Sequence, residues 1–155
     1  MLRILLAATH LLALGIGWGA IHARARALRQ VSVAPDALGR VFAADSWWGA
    51  AFGLWVVTGL WRALAGTEKV SSYYWSNHVF YAKMGLLAII LALEIAPMVT
   101  LIRWRSAHAK KTLGATNELA PMANRFAVVS HVQTALLIAM VFAAVMMARG
   151  YGARL

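Results

Sequence analysis

Four side chains able to do chemistry stand inside long apolar stretches of this sequence: His10, Lys83, Glu94 and His131. A histidine in such a place offers a neutral nitrogen ligand, which suits a metal ion or a heme iron without burying a charge. Lysine and glutamate are costly in an apolar helix and ordinarily face a protein interior, an aqueous path or the edge of the apolar layer. The chain has no cysteine. Disulfides, thiolate zinc sites, iron–sulfur clusters and cysteine nucleophiles are thereby excluded, and histidine, methionine and carboxylates remain as ligands. No Ser-His-Asp spacing, phosphate-binding loop or His-Glu-x-x-His motif is present.

Depth along a helix sorts these residues. At about 1.5 Å per residue, His10 lies about 9 Å from the outer end of its apolar run and Lys83 about 6 Å from that of its own. Arg62 and His78 sit at the same boundary, whereas His22, Glu94 and His131 fall in the inner third. Two polar layers result. Lys83 and Glu94 are eleven residues apart, which returns them to nearly one helix face about 16 Å apart, too far to pair but placed to line one polar path. His10 and His131 differ by about 14 Å in depth, so one iron cannot take both, and each is a separate candidate metal ligand. Met84 and Met140 match the depth of His10, and a His/Met pair favours a stable low-spin heme. His22 with His131 is the other depth-matched pair. Lys83 and Arg62 can hold carboxylates near the outer face.

The elements that position these residues follow from composition. Of 155 residues, 62% are hydrophobic and 13% charged, and mean hydropathy is +0.68. Soluble domains carry about 25% charged residues, so a soluble globular domain is excluded. One membrane crossing needs about 20 apolar residues, and four such runs occur, at approximately 4–23, 43–64, 79–102 and 126–148. Backbone polar groups in lipid must be satisfied within each segment, so each run is predicted helical. The expected fold is all-α, an integral membrane four-helix bundle forming a single transmembrane domain over 1–155. The first run is followed by Arg24, Arg26 and Arg29, whereas a cleaved secretory signal has its positive charge in front.

The net charge of +10 comes from 15 Lys and Arg against 5 Asp and Glu. These basic residues lie between apolar runs rather than along one soluble face, so they report membrane topology and not nucleic acid. Nine of them, Arg24, Arg26, Arg29, Arg40, Arg103, Arg105, Lys110, Lys111 and Arg125, fall in the two long connections; Arg3, Arg62, Lys69, Arg149 and Arg154 fall on the other side. That asymmetry places the connections in the cytoplasm and both termini outside. Gly15-x-x-x-Gly19 and Gly49-x-x-x-Gly53 allow close helix approach, and packing within the chain is the expected use ahead of a homodimer. The tryptophans near the run ends suit the interfacial belts.

From Arg40 to Arg105 the residues carry a resemblance. The string Ala44-Asp45, Gly49, Gly53, Thr58-Gly59-Leu60-Trp61-Arg62, Tyr73-Tyr74, Asn77, Phe80, Ala82-Lys83-Met84, Pro97 and Arg103-Trp104-Arg105 resembles a family of small bacterial inner-membrane proteins of unknown function. In that family proline usually follows the asparagine, where this chain has His78. A more distant similarity runs to HemJ-type protoporphyrinogen oxidases and CopD-type copper-resistance membrane proteins. It rests on a histidine early in helix 1 and on Phe80-Tyr81-Ala82-Lys83 at the start of the third run. HemJ-like proteins bind heme b, and the resemblance assigns their helix 1 histidine to His10. The leading expectation is therefore a b-type heme redox protein with His10 as axial ligand and Met84 or Met140 opposite. The alternatives are a small permease with a path lined by Lys83 and Glu94, and an accessory subunit of a larger membrane complex. Enzymatic activity stays open.

Overall fold

The four apolar runs do fold as helices, and each helix continues beyond its run. The computed structural model describes residues 1–34, 36–65 and 71–152. Its helices are α1 (Leu2–Leu28), α2 (Ala37–Leu64), α3 (Ser71–Trp75), α4 (His78–Ala109) and α5 (Thr116–Ala148). The fold is all-α, with five helices among the described residues where the runs predict four. The fifth is the single turn-and-a-half of α3, polar and aromatic and therefore invisible to an apolar-run argument.

Three helices, α1, α4 and α5, are long and apolar enough to cross a membrane. Expectation and structure differ at α2. It has 28 residues, but Asp45, Ser46, four glycines and four tryptophans dilute its apolar content below that of the other three. At 1.5 Å per residue, the 32 residues of α4 span about 48 Å, more than the ~30 Å hydrocarbon layer. The extra turns lie at the end of the bundle where α1 leads to α2 and α4 leads to α5, here termed the loop end. The opposite end, where the chain starts and finishes, is the terminal end.

Around the bundle the order is α2, α1, α5, α4, with α1 packed along both α2 and α5. Between α2 and α4 there is no extended packing. Buried positions on α1 run His10, Ala13, Gly17, Ala20, Ile21, Arg24, Ala27 and Leu28, the three-and-four spacing of one helix face. Gly17 is the glycine at the helix contact: a Cβ there would meet Trp48 and Ala51 of α2 at 3.4 and 3.5 Å, ordinary packing distance. Gly15, Gly19, Gly49 and Gly53 have nothing within 4 Å of that position. The expectation that they pack within the chain is overturned: the contact glycine is Gly17, and both Gly-x-x-x-Gly ridges face outward.

Two apolar clusters fill the interior. One lies toward the terminal end and is built on Ala13, Ile21, Trp48, Trp55, Ile90, Leu137 and Met140. The other lies at the loop end on Leu28, Val31, Leu38, Val41, Leu101, Trp104 and Phe126. Each buried residue of this kind contributes about 1.5–3 kcal/mol relative to exposure in water, a term that weakens where the outside is lipid. The layers between and beyond these clusters are polar.

Candidate functional site: an ion-pair lock and a basic cavity

The layer between the two clusters is centred on Arg24, whose side chain is 0% exposed. Its guanidinium has five N–H donors, and each has an acceptor. Nε donates to Ser130 Oγ at 3.2 Å. Nη1 donates to Asp45 Oδ1 at 2.9 Å and Glu94 Oε1 at 2.6 Å, and Nη2 to Glu94 Oε2 at 2.8 Å and Gln133 Oε1 at 3.2 Å. Gln133 spends its amide hydrogens on Glu94 Oε2 and the Ile90 carbonyl. Arg105 Nη2 stands 3.7 Å from Asp45 Oδ2 and donates to the Phe42 carbonyl at 2.7 Å. Two cations thus meet two carboxylates. All four long helices contribute, and the cluster bridges α2 to α4 where their apolar faces do not meet.

The reading of Arg24 as a loop charge is corrected by this arrangement. Because α1 runs on to Leu28, Arg24 is a helical residue on the buried face, and the count of basic residues at the loop end falls from nine to eight. Lys69 and Arg154, counted at the terminal end, lie outside the described residues. Asp45 is the second residue that sequence reasoning missed, since it entered only as part of the resemblance and not as a candidate for chemistry. Glu94, expected to share a path with Lys83, is bound instead to Arg24. The apolar cluster around Ile90 and Leu137, with Leu86 and Leu87 packed on it, lies between it and Lys83.

At the terminal end is a cavity of about 450 Å³, within the ~300–1,000 Å³ range of small-ligand sites. His10, Arg62, Lys83, Met84 and Met140 all line it. No aspartate or glutamate among the described residues does, so its charge is basic. The walls are Leu11, Leu14, Trp55, Val56, Phe80 and Leu87, among others. Met140 is 2% exposed.

His10 is held firmly. Its Nδ1 lies 2.9 Å from Thr58 Oγ1, and the single hydroxyl hydrogen of Thr58 goes to the Leu54 carbonyl at 2.8 Å. Nδ1 therefore donates to Thr58, and Nε2 keeps the lone pair of the neutral ring. Trp55 stacks on the imidazole with centroids 5.7 Å apart. Gly59 makes room for the ring, since a Cβ there would stand 2.9 Å from His10 Cε1. Trp55 Nε1 is buried with no hydrogen-bond partner among the described residues, which leaves a donor unmatched beside the cavity.

The terminal end of the cavity is roofed. Tyr73 and Tyr74 of α3 line it, and Tyr73 Oη donates to the Met147 carbonyl at 2.7 Å. Asn77 caps α4 by accepting from the Val79 and Phe80 amides, donates to the Tyr151 carbonyl at 3.1 Å, and is flanked by a bond from His78 N to the Gly152 carbonyl. The cap forms with histidine in the place where the resembling family has proline.

His131 is not near His10. It meets His22, ring centroids 5.9 Å apart, on the outward side of α1 and α5, and Trp18 stacks on His22. No group of three or more metal-ligating side chains occurs among the described residues.

A family of proteins known only as membrane proteins, described as "Predicted membrane protein (DUF2214)", matches residues 2–152. No curated protein and no solved structure matches, so the HemJ-type and CopD-type similarities gain no support from these comparisons.

Proposed function

The chain belongs to the DUF2214 family of predicted membrane proteins, and we propose that it is a bacterial inner-membrane protein whose basic cavity holds b-type heme for a redox role. One observation carries this reading: His10, Met84, Met140, Lys83 and Arg62, five residues from four helices and three of them potential ligands by chemistry, converge on a single cavity. The donor set fits the group. His10 offers Nε2, and its Nδ1 bond to Thr58 is the kind of outer contact that orients a ligating imidazole. Met140, buried in the wall, or Met84 would supply a thioether sulfur. Lys83 and Arg62 are placed to pair with acidic substituents, and the aromatic and leucine walls exclude water. Heme bound there would supply one-electron chemistry, with its potential tuned by the residues that hold it.

Topology follows from the same geometry. The chain leaves α1 at the loop end and must begin α4 at the terminal end, so α2, lying along α1, is the fourth crossing. In the sequence, eight basic residues in the two long connections against five outside them support loops in the cytoplasm and both termini, with the cavity, on the periplasmic side. The permease reading has less behind it, because Glu94 is engaged by Arg24 and an apolar cluster separates it from Lys83. A homodimer or accessory-subunit arrangement would use the outward Gly15/Gly19 and Gly49/Gly53 ridges.

The absorption spectrum of detergent-purified protein from heme-replete cells tests the heme reading. A Soret band is expected that His10→Ala abolishes or shifts. Colourless protein that also leaves the spectrum of added hemin unchanged overturns it.

A further inference from the structure

Beside the basic cavity lies a second, wholly apolar depression on the outside of the bundle. Leu11, Leu14, Gly15 and Trp18 of α1 and Leu137, Ile138 and Val141 of α5 line it. Leu11, Leu14 and Val141 line the cavity as well. The two hollows therefore share walls, and the groove lies along the seam of α1 and α5 on the other side of those three residues from the cavity. Its rim is open: Leu11 is 64% and Ile138 46% exposed, and a Cβ at Gly15 would meet nothing within 4 Å.

Two other sides of the cavity are covered among the described residues. Toward the terminal end, Tyr73 and Tyr74 cover it, tied down through the Met147 carbonyl, and the turn at Tyr151–Gly152 is tied to the head of α4. Toward the loop end, the cluster of Trp48, Ile90 and Leu137 plugs the bundle, and below it the Arg24 ion pairs join the four helices. A passage walled only by leucine, isoleucine, valine, glycine and the tryptophan ring disfavours water and a hydrated ion. It suits a molecule already dissolved in lipid.

We propose that the cavity is loaded sideways from the bilayer, through the α1/α5 groove, by an amphiphile with an apolar body and an acidic group. The apolar body travels along Leu11, Leu14, Gly15 and Val141, and the acidic group arrives at Lys83 and Arg62. This rests on the cavity being the ligand site, but not on the ligand being heme. It also gives Gly15 a role that helix packing does not: an outward glycine keeps the groove unobstructed.

The test is a loading rate. Full-length protein is reconstituted in phosphatidylcholine vesicles and mixed with vesicles carrying one of two probes, hemin or doxyl-stearate. Binding is followed by the Soret band for hemin and by tryptophan quenching for the spin label. Gly15→Leu and Ile138→Trp fill the groove from opposite helices without touching the cavity's cations, whereas Gly49→Leu adds the same bulk to an open face of α2. Loading at least tenfold slower in both groove variants, with wild-type final binding and a wild-type rate in Gly49→Leu, is the expected result. Unchanged rates in the groove variants, or equal slowing by Gly49→Leu, overturn the route. If doxyl-stearate shows groove-dependent loading while hemin never binds, the route stands and the heme reading falls. If neither probe binds wild-type protein, both fall.

Discussion

The two polar layers of this bundle both carry basic side chains and do opposite things with them. Around Arg24 every donor of the guanidinium has an acceptor, and two cations meet two carboxylates. Around Lys83 the charge is all of one sign among the lining residues described, and about 450 Å³ is left open. A buried polar cluster that is fully satisfied specifies how helices meet. One that leaves space beside lining cations points to something that binds there. The distinction is testable because each layer should fail in its own way.

The largest effect belongs to the lock. Arg24→Gln leaves Asp45 and Glu94 as facing carboxylates without their shared guanidinium. Removing one partner of a buried pair costs about 3–5 kcal/mol, so a marked drop in the SDS or thermal unfolding midpoint is expected. The double variant Arg24→Gln with Glu94→Gln should recover part of the loss, because one of the stranded charges is gone and Asp45 still has Arg105 at 3.7 Å. A double variant no more stable than the single one would show that the cluster's charges are uncoupled, and the contrast with the cavity would lose its basis.

Lys83→Met probes the opposite layer, with a smaller effect of a different kind. Among the described residues no acceptor or carboxylate is bonded to Lys83, so removing the ammonium strands no partner. Unfolding should be unchanged or slightly improved. A hydrogen bond to a charged group contributes about 1.5–3 kcal/mol, so hemin binding should weaken by roughly tenfold to a hundredfold. Equal hemin affinity with lower stability would reclassify Lys83 as a structural residue.

How far the sequence announces these two layers can be seen at Arg24 itself. Apolar runs locate the four long helices, because lipid requires them to be continuous. They miss the helix ends, because past the hydrocarbon layer α1, α2, α4 and α5 continue on ordinary amphipathic packing, as Leu28, Leu38, Trp104 and Phe126 show. Ending helix 1 at residue 23 turned Arg24 into a loop charge. Yet Arg24 follows His10 by fourteen residues, close to four full turns, so the two share a face, and Glu94 in the next layer calls for a cation at its depth. Phase and charge balance together would have found the pair. The outer cavity was easier, since His10, Met84, Met140, Lys83 and Arg62 agree in depth alone. Neither α3 nor the preference for Gly17 over the two Gly-x-x-x-Gly ridges has such a signal, because both depend on which faces of nearly uniform helices turn inward.

Gly59 offers the finest discrimination between the layers, because it acts on the cavity through one contact and is far from the lock. In Gly59→Ala the new methyl would meet His10 Cε1 at 2.9 Å, closer than carbon atoms settle. The imidazole must shift, and the Nδ1 to Thr58 bond lengthens or breaks. Overpacking of this size costs about 1 kcal/mol, partly offset by the better helix propensity of alanine, so the unfolding midpoint should hardly move. The position of the ring, in contrast, sets whether Nε2 can serve as a ligand. Gly59→Ala should therefore displace the Soret maximum of bound hemin or lower its affinity several-fold, while Gly53→Ala, six residues earlier on the same helix with open space around it, leaves both unchanged. A Gly59→Ala protein with a wild-type spectrum would mean that the His10 ring has freedom the packed geometry does not suggest, and that Thr58 is not what positions it.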